Sequence, residues 1–383
     1  MLDLSKLLGV MVEHDASDLY ITVDSPPMYR IDGVVRPAGN RCLQAADTET
    51  LANGIMSEKQ QREFQESSEQ NLALYFPSLG RFRVNVFRQR TSVGLVIRQI
   101  RSNIRGIDDL RLPQILKDVA MTKRGLALIV GATGSGKSTS LAALVDYRNQ
   151  NSAGHIITVE DPIEFVHAHK KSIVTQREIG IDTVNYATAL KNALRQAPDV
   201  ILIGEIRDAE TMEAAIAFAE TGHLCLATLH SNNADQAMER IINFFPAERH
   251  AQIYMQLSLS LRAIVSQRLV RTIEGGRTCA FEILLDSPRI KDLIHKGHVG
   301  ELKEVMEKSA TVGMVTFDQS LFELYRSGAI SLDEAIRDAD SANNLRLRIK
   351  LAEDGQAADA HSLGQSTAEA SAQGEPKLQV DLG

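Results

Sequence analysis

The sequence predicts an α/β protein in which a smaller N-terminal α+β domain precedes a larger, doubly wound α/β core. Three observations carry this expectation. Four strand-sized apolar runs, GLALIV (125–130), HIITV (155–159), DVILI (199–203) and HLCLATL (223–229), alternate with helical stretches, the pattern of helices packed on a mostly parallel sheet. A glycine-rich octapeptide directly follows the first of these runs. The first hundred residues instead hold short strands with polar faces. At 383 residues the chain has room for two domains of roughly 150 residues each.

Residues 1–100 form the smaller domain. Leu4, Leu7, Leu8 and Met11 keep helical spacing, so the N-terminus reads as an amphipathic core helix and not as a signal peptide. DLYITV (18–23) predicts a strand, and Asp32-Gly33 within MYRIDGVVR (28–36) predicts a hairpin turn. A helix is expected over 51–65. RFRVNVF (81–87) alternates strictly, with Arg81, Arg83 and Asn85 on one face and Phe82, Val84 and Val86 on the other; SVGLVIRQI (92–100) is the next strand. Gly106 and Pro113 mark 101–113 as a linker into the second domain, 114–351, which is expected to end in long helical stretches at 232–270 and 299–349. Residues 352–383 hold six acids, one lysine and no aromatic residue. They predict a disordered acidic tail, because too little surface can be buried to offset the entropy of ordering.

Composition narrows the function. The apolar share is 44% and the charged share 24%, as in globular proteins. Cys42, Cys225 and Cys279 form no CxxC pair, which argues against a zinc ribbon and for a reducing compartment. No apolar run approaches the ~20 residues a bilayer requires, so no transmembrane segment is expected and the cytoplasm is the expected location. The net charge of −7 falls mostly on the tail, leaving a nearly neutral body with no global signature of nucleic-acid binding.

The octapeptide GATGSGKS comprises Gly131, Ala132, Thr133, Gly134, Ser135, Gly136, Lys137 and Ser138. It fits G-x-x-x-x-G-K-[ST], follows a strand and opens a helix that continues through Thr139. Glycines let successive backbone N–H groups curl around phosphates, and the helix N-terminus adds its positive dipole end. Lys137 is expected to reach the β- and γ-phosphates of ATP, and the Ser138 hydroxyl to hold Mg²⁺.

Two further strand ends carry acids. HIITVEDPIEF (155–165) releases Glu160, Asp161 and Glu164 around Pro162, where a carboxylate can orient an attacking water. DVILIGEIRD (199–208) ends in Gly204-Glu205, an atypical Walker-B position from which Glu205 would bind Mg²⁺ through water. His223 and His230 flank HLCLATLH. Seven residues of extended strand span roughly 23 Å, so they cannot share one ion; His230 is placed to sense the γ-phosphate and His223 to line another edge of the site. Seven arginines fall within 81–105 with no lysine and no acid. A solvated face, a nucleic-acid patch and arginines donated to phosphate all remain open for this run.

These motifs in this order resemble the secretion ATPase superfamily of type II secretion and type IV pili, over roughly residues 1–345. EDPIE (160–164) looks like the family's Asp box, IGEIRD (203–208) its Walker B, TGHLCLATLH (221–230) its His box, and HDASDLYI (14–21) the opening of its N-terminal domain. The resemblance implies a RecA-like core behind a PAS-like domain, with Glu164 as catalytic base and Glu205 at the Mg²⁺ position. It implies nucleotide-contacting roles for His223 and His230, with Arg83 and Arg98 reaching a neighbouring subunit's nucleotide. It also implies a homohexamer peripherally attached to an inner-membrane pilus platform protein. A short N-terminal region without a tetracysteine module is similar to the PilT-like retraction branch. That branch carries AIRNLIRE where this chain reads RIKDLIHK (289–296), keeping Ile290, Leu293 and Ile294. The departure implies an accessory motor, in a ring shared with a PilT-type paralogue or working beside one. The residues alone also admit a P-loop kinase, a nucleic-acid translocase, or a regulator that binds ATP without hydrolysing it.

Overall fold

The computed structural model describes residues 3–309 and 313–353, and the expected acidic tail lies outside the described residues from 354 onward. The N-terminal part is a six-stranded antiparallel sheet with strand order β3-β2-β1-β6-β5-β4. Its strands are β1 (Asp18–Ile21), β2 (Met28–Ile31), β3 (Val34–Pro37), β4 (Glu69–Phe76), β5 (Gly80–Gln89) and β6 (Ser92–Ile100). Asp32 and Gly33 both take positive φ, 50° and 80°, the backbone of a tight hairpin turn between β2 and β3. The helix Leu4–Glu13 is capped by Asp3, which accepts from the Lys6 N–H, and buries Leu4, Leu8 and Met11. These pack on the inward face of β5, where Phe82, Val84 and Val86 are fully buried. Arg81, Arg83 and Asn85 occupy the other face, as the alternation predicts.

The second part is a seven-stranded sheet of order β13-β12-β7-β11-β10-β8-β9. It comprises β7 (Gly125–Val130), β8 (Gly154–Glu160), β9 (Ser172–Glu178), β10 (Val200–Ile203), β11 (Leu224–Leu229), β12 (Leu261–Arg271) and β13 (Arg277–Leu285). All pairings from β12 to β9 are parallel, and only β13 runs antiparallel on its edge. Helices cover both faces: Leu141, Leu144 and Val145 of the helix Lys137–Asn151 bury into one, Met212, Ile216 and Phe218 of the helix Ala209–Glu220 into the other. Burial on both faces explains why these strands read as continuous apolar runs. In consequence the C-terminal ends of β7, β8, β10 and β11 emerge along one edge.

Three expectations are corrected. The helix over 51–65 is two helices, Ala45–Ile55 and Glu58–Ser67, because Ser57 takes an extended backbone and forms a capping box with Gln60. The stretch 232–270 is not helical throughout: after Ala234–Asn243 and His250–Ser260 the chain becomes β12. Neither Gly nor Pro marks that change, and a strand buried on both faces shows no alternation. The stretch 299–349 is broken into Leu302–Lys308, Phe317–Arg326, Leu332–Arg337 and a last helix from 342; Thr316 and Ser331 cap the second and third, and the Ser341 carbonyl accepts the Leu345 N–H at the start of the last. Strands β4, β9 and β13 have no counterpart among the expected elements; β4 buries only Leu72 and so has no apolar stripe.

The two parts touch. Ile107 and Leu112 of the connecting segment bury in the core of the second sheet. Arg101 bridges to Phe165, with the Val166 N–H donating to the Arg101 carbonyl at 2.9 Å. The Arg81 guanidinium pairs with buried Glu178 of β9 at 3.3 Å. Truncating Phe82, at the centre of the small core, to alanine is expected to cost ~3–5 kcal/mol. Asn85→Ala on the opposite face should stay within about 0.5 kcal/mol of the unaltered protein. Equal losses in the two variants by chemical denaturation would contradict this placement of the core.

Candidate active site

The phosphate cradle is built by the turn between β7 and the helix Lys137–Asn151. Gly131 has φ 151°, and a Cβ there would meet the Ser135 Oγ at 2.4 Å and the Gln267 carbonyl oxygen at 2.7 Å. Gly136 caps the helix with φ 93°, a left-handed backbone that favours glycine. The loop is thus shaped by the lack of side chains, and the buried Ser135 Oγ has no hydrogen-bond partner among the described residues. Lys137 is buried and donates to the carbonyls of Gly131 and Ala132 at 2.8 and 3.0 Å. Burial holds its ammonium below the ordinary lysine value, while Glu205 and Glu164 pull it back. A deeply set cation ringed by backbone donors suits a polyanion.

Lys137, Ser138, Glu160, Glu164, Glu205 and His230 line one cavity of about 200 Å³. Glu205 leaves the end of β10 and pairs through Oε1 with His230 Nε2 at 3.1 Å. Its Oε2 accepts from Arg207 Nε at 2.7 Å, and Arg207 reaches on to Asp161 at 3.5 Å. Glu164 is exposed at the cavity mouth, whereas Glu160 lies inside and accepts from Thr158 Oγ1 at 2.7 Å and Gln176 Nε2 at 3.2 Å. Burial raises the Glu160 carboxyl to about 7, against hydrogen bonds from Thr158, Gln176 and the Glu164 backbone N–H. Among the described residues no cluster of three His, Cys, Asp or Glu could hold a metal alone. Mg²⁺ bound here would therefore draw on Ser138, Glu205 through water, and oxygens of the ligand itself.

His223 is not at this site. It lies just before β11, at the end of the sheet where Gly125 begins β7 and donates its N–H to the His223 carbonyl, so the whole strand separates it from Gly131. Its Nδ1 lies 3.1 Å from Thr221 Oγ1 and 3.2 Å from the Phe218 carbonyl, a histidine satisfied locally. Arg83 and Arg98 sit opposite one another on β5 and β6 and line an interdomain cleft with Thr139 and Glu164 of the same chain. Within the one chain they face Thr139 and Glu164 across that cleft. Arg98 is held by Asp18 at 2.8 Å, and Asp18, though buried, also pairs with Arg30. Sequence reasoning missed Arg207, visible as the cation two residues past Glu205, and Tyr186, whose buried hydroxyl beside Gly204 has no partner among the described residues. Asp208 is a helix cap, accepting from the Thr211 N–H.

A family model described as "Type II/IV secretion system protein" matches residues 2–337. The type IV pilus ATPase PilU of Pseudomonas aeruginosa is 55% identical over 365 residues, covering 95% of this chain and 96% of its own. The type IV pilus retraction ATPase PilT of the same organism is 41% identical over 343 residues, covering 90% and 100%. Among solved structures, the pilus retraction motor PilT with bound ADP superposes with a TM-score of 0.84 at 40% identity, covering 90% of this chain and 99% of that one.

The Glu160 environment has a consequence for stability. A carboxyl raised from an ordinary 4.5 to about 7 in the folded chain keeps its proton there at pH values where the unfolded chain has released it. Its contribution is therefore full in acid and is lost as pH rises through about 7. Glu160→Gln escapes that loss, so its stability relative to the unaltered protein should rise between pH 5 and 8 by up to ~3 kcal/mol. Parallel denaturation series that keep a constant gap across this range would refute the buried-carboxyl assignment.

Proposed function

We propose, from the premise that this chain belongs to the type II/IV secretion system protein family, that it is a ring-forming mechanical ATPase. It is an ATPase acting in type IV pilus retraction, with a RecA-like core behind an N-terminal antiparallel sheet domain. The observation that carries the reading is the convergence of Lys137, Glu164, Glu205 and His230 on one cavity at the strand ends. The named relatives are pilus ATPases, which favours hydrolysis over the kinase, translocase and non-hydrolysing regulator readings.

ATP is the substrate, and its phosphates would lie on the N–H groups of 131–139 with Lys137 drawing charge from the β- and γ-oxygens. Mg²⁺, held by Ser138 and through water by Glu205, supplies charge screening of those oxygens when bound. Glu164, exposed and beside the cradle, takes the proton of the attacking water. Arg207 and His230 hold the Glu205 carboxylate in place, and His230 is also positioned to report on the γ-phosphate. Arg83 and Arg98 close from the N-terminal sheet onto the same chain's nucleotide, stabilising charge that develops in the transition state. The cavity beyond Ser135 and Thr139, which Arg111 and Gln267 also line, suits the nucleoside. Among the described residues no helix is long and apolar enough to cross a membrane. The working form is a hexamer in the cytoplasm, docked on a pilus platform protein of the inner membrane. The altered stretch 289–296 favours an accessory role, in a ring shared with a PilT-type paralogue or beside one.

Glu164→Gln should lower ATP turnover by ~10² to 10⁴ while nucleotide still binds. Arg83→Ala should be similarly inactive. When the two inactive variants are mixed under conditions of subunit exchange, arginines acting within their own chain leave the mixture inactive. Recovered turnover would instead assign them to a neighbour's site, and wild-type turnover in Glu164→Gln alone would remove it as the base.

A further inference from the structure

The geometry points to Gln176 as the residue that positions Glu164, an inference that rests on Glu164 being the catalytic base. Glu164 makes no side-chain hydrogen bond or ion pair among the described residues, so its aim depends on the backbone either side of it. Gln176, in β9 and paired in register with Thr158 of β8, grips that backbone. Its Nε2 donates to the Phe165 carbonyl at 2.8 Å and to Glu160 Oε1 at 3.2 Å. Its Oε1 accepts the His167 N–H at 2.8 Å. One carboxamide thus ties residue 160 at the end of β8 to residues 165 and 167 just past the base. Ile163, buried at 3% exposure, anchors the other side.

The chemistry requires an amide. Two donors and an acceptor must leave one planar group, which glutamine supplies and glutamate does not. An ionised glutamate here would turn lone pairs toward the Phe165 carbonyl and the Glu160 carboxyl. A methionine keeps the length and volume but offers neither donor. Gln176 does not line the nucleotide cavity, so it acts through the loop and touches no reacting atom. Its loss should therefore appear in the rate of the chemical step and not in substrate affinity. From the far side the Val166 N–H donates to the Arg101 carbonyl, so this loop is held between Gln176 and the segment leaving the N-terminal sheet.

The test measures steady-state ATP turnover of the full chain for Gln176→Glu and Gln176→Met, with Glu164→Gln alongside. Displacing a reacting group by about 1 Å costs on the order of 10²-fold, so kcat should fall by ~10- to 10²-fold in both variants while KM stays within about twofold. Affinity for a non-hydrolysable ATP analogue should be unchanged. Should Gln176→Met fail to fold, Gln176→Glu, which keeps the size and the acceptor oxygen, still decides the matter. Native kcat in the folded variants, or a raised KM with native kcat, overturns the positioning role if Glu164→Gln is inactive. A fully active Glu164→Gln instead overturns the base assignment on which it rests.

Discussion

The site depends first on the parallel sheet being buried on both faces. Ile201 and Ile203 face one helical layer and Val200 and Leu202 the other, each almost fully excluded from water. A register slip of one residue would exchange those layers, so the pairing of β10 with β8 and β11 is tightly specified. That register sets the loops at residues 131, 160, 204 and 230 side by side. No functional residue needs to be near another in sequence, since apolar packing brings the strand ends together. His223 illustrates the same constraint from the other direction: it and His230 flank β11 at opposite ends, and the length of that strand holds His223 away.

Electrostatics then divides labour among the carboxylates. Glu205 is matched by Arg207 and His230, and its charge is compensated within the protein. Glu160 is half-buried with only neutral donors on its carboxyl, so desolvation governs and its proton is held more tightly. Glu164 stays exposed at the cavity mouth, with no charged partner among the described residues. Three acids that look alike in the sequence therefore face three environments. Lys137 sits among them, less basic than usual through burial and held charged by Glu205 and Glu164.

What was legible in the sequence follows from this physics. GATGSGKS could be read because its glycines answer a local steric demand at Gly131 and Gly136. Strands β7, β8, β10 and β11 could be read because double burial leaves contiguous apolar runs. The alternation of RFRVNVF told which face of β5 is wet. Strand β12 was not legible: LRAIVSQRLVR follows a helix without a breaker, and its conformation is decided by pairing with β7 and β13, partners far away in the chain. Gln176 was likewise hidden, since its three partners are set by the return of the loop 161–167 along β9. The placement of Arg83 and Arg98 in the interdomain cleft depends on how the two parts meet, which no local pattern encodes.

Coupling chemistry to motion requires a contact that differs between two domain arrangements. Two contacts join the N-terminal sheet to the second part near the site. Arg81 pairs with Glu178 at 3.3 Å and with Asp182 at 4.0 Å, joining β5 to β9. Arg101 joins the end of β6 to Phe165 and Val166, immediately after Glu164. Arg83 lies two residues from Arg81 on the same face of β5, so a movement that breaks the Arg81–Glu178 pair also withdraws Arg83 from the cleft. Glu178 has almost no exposure, and burial raises its carboxyl against the pull of Arg81 and Arg83. Removing the arginines would leave that charge nearly uncompensated, which favours closure over a drift through intermediate positions. Arg83 and the loop that carries Glu164 are thus both tied to the N-terminal sheet. Whatever turns that sheet acts on both at once.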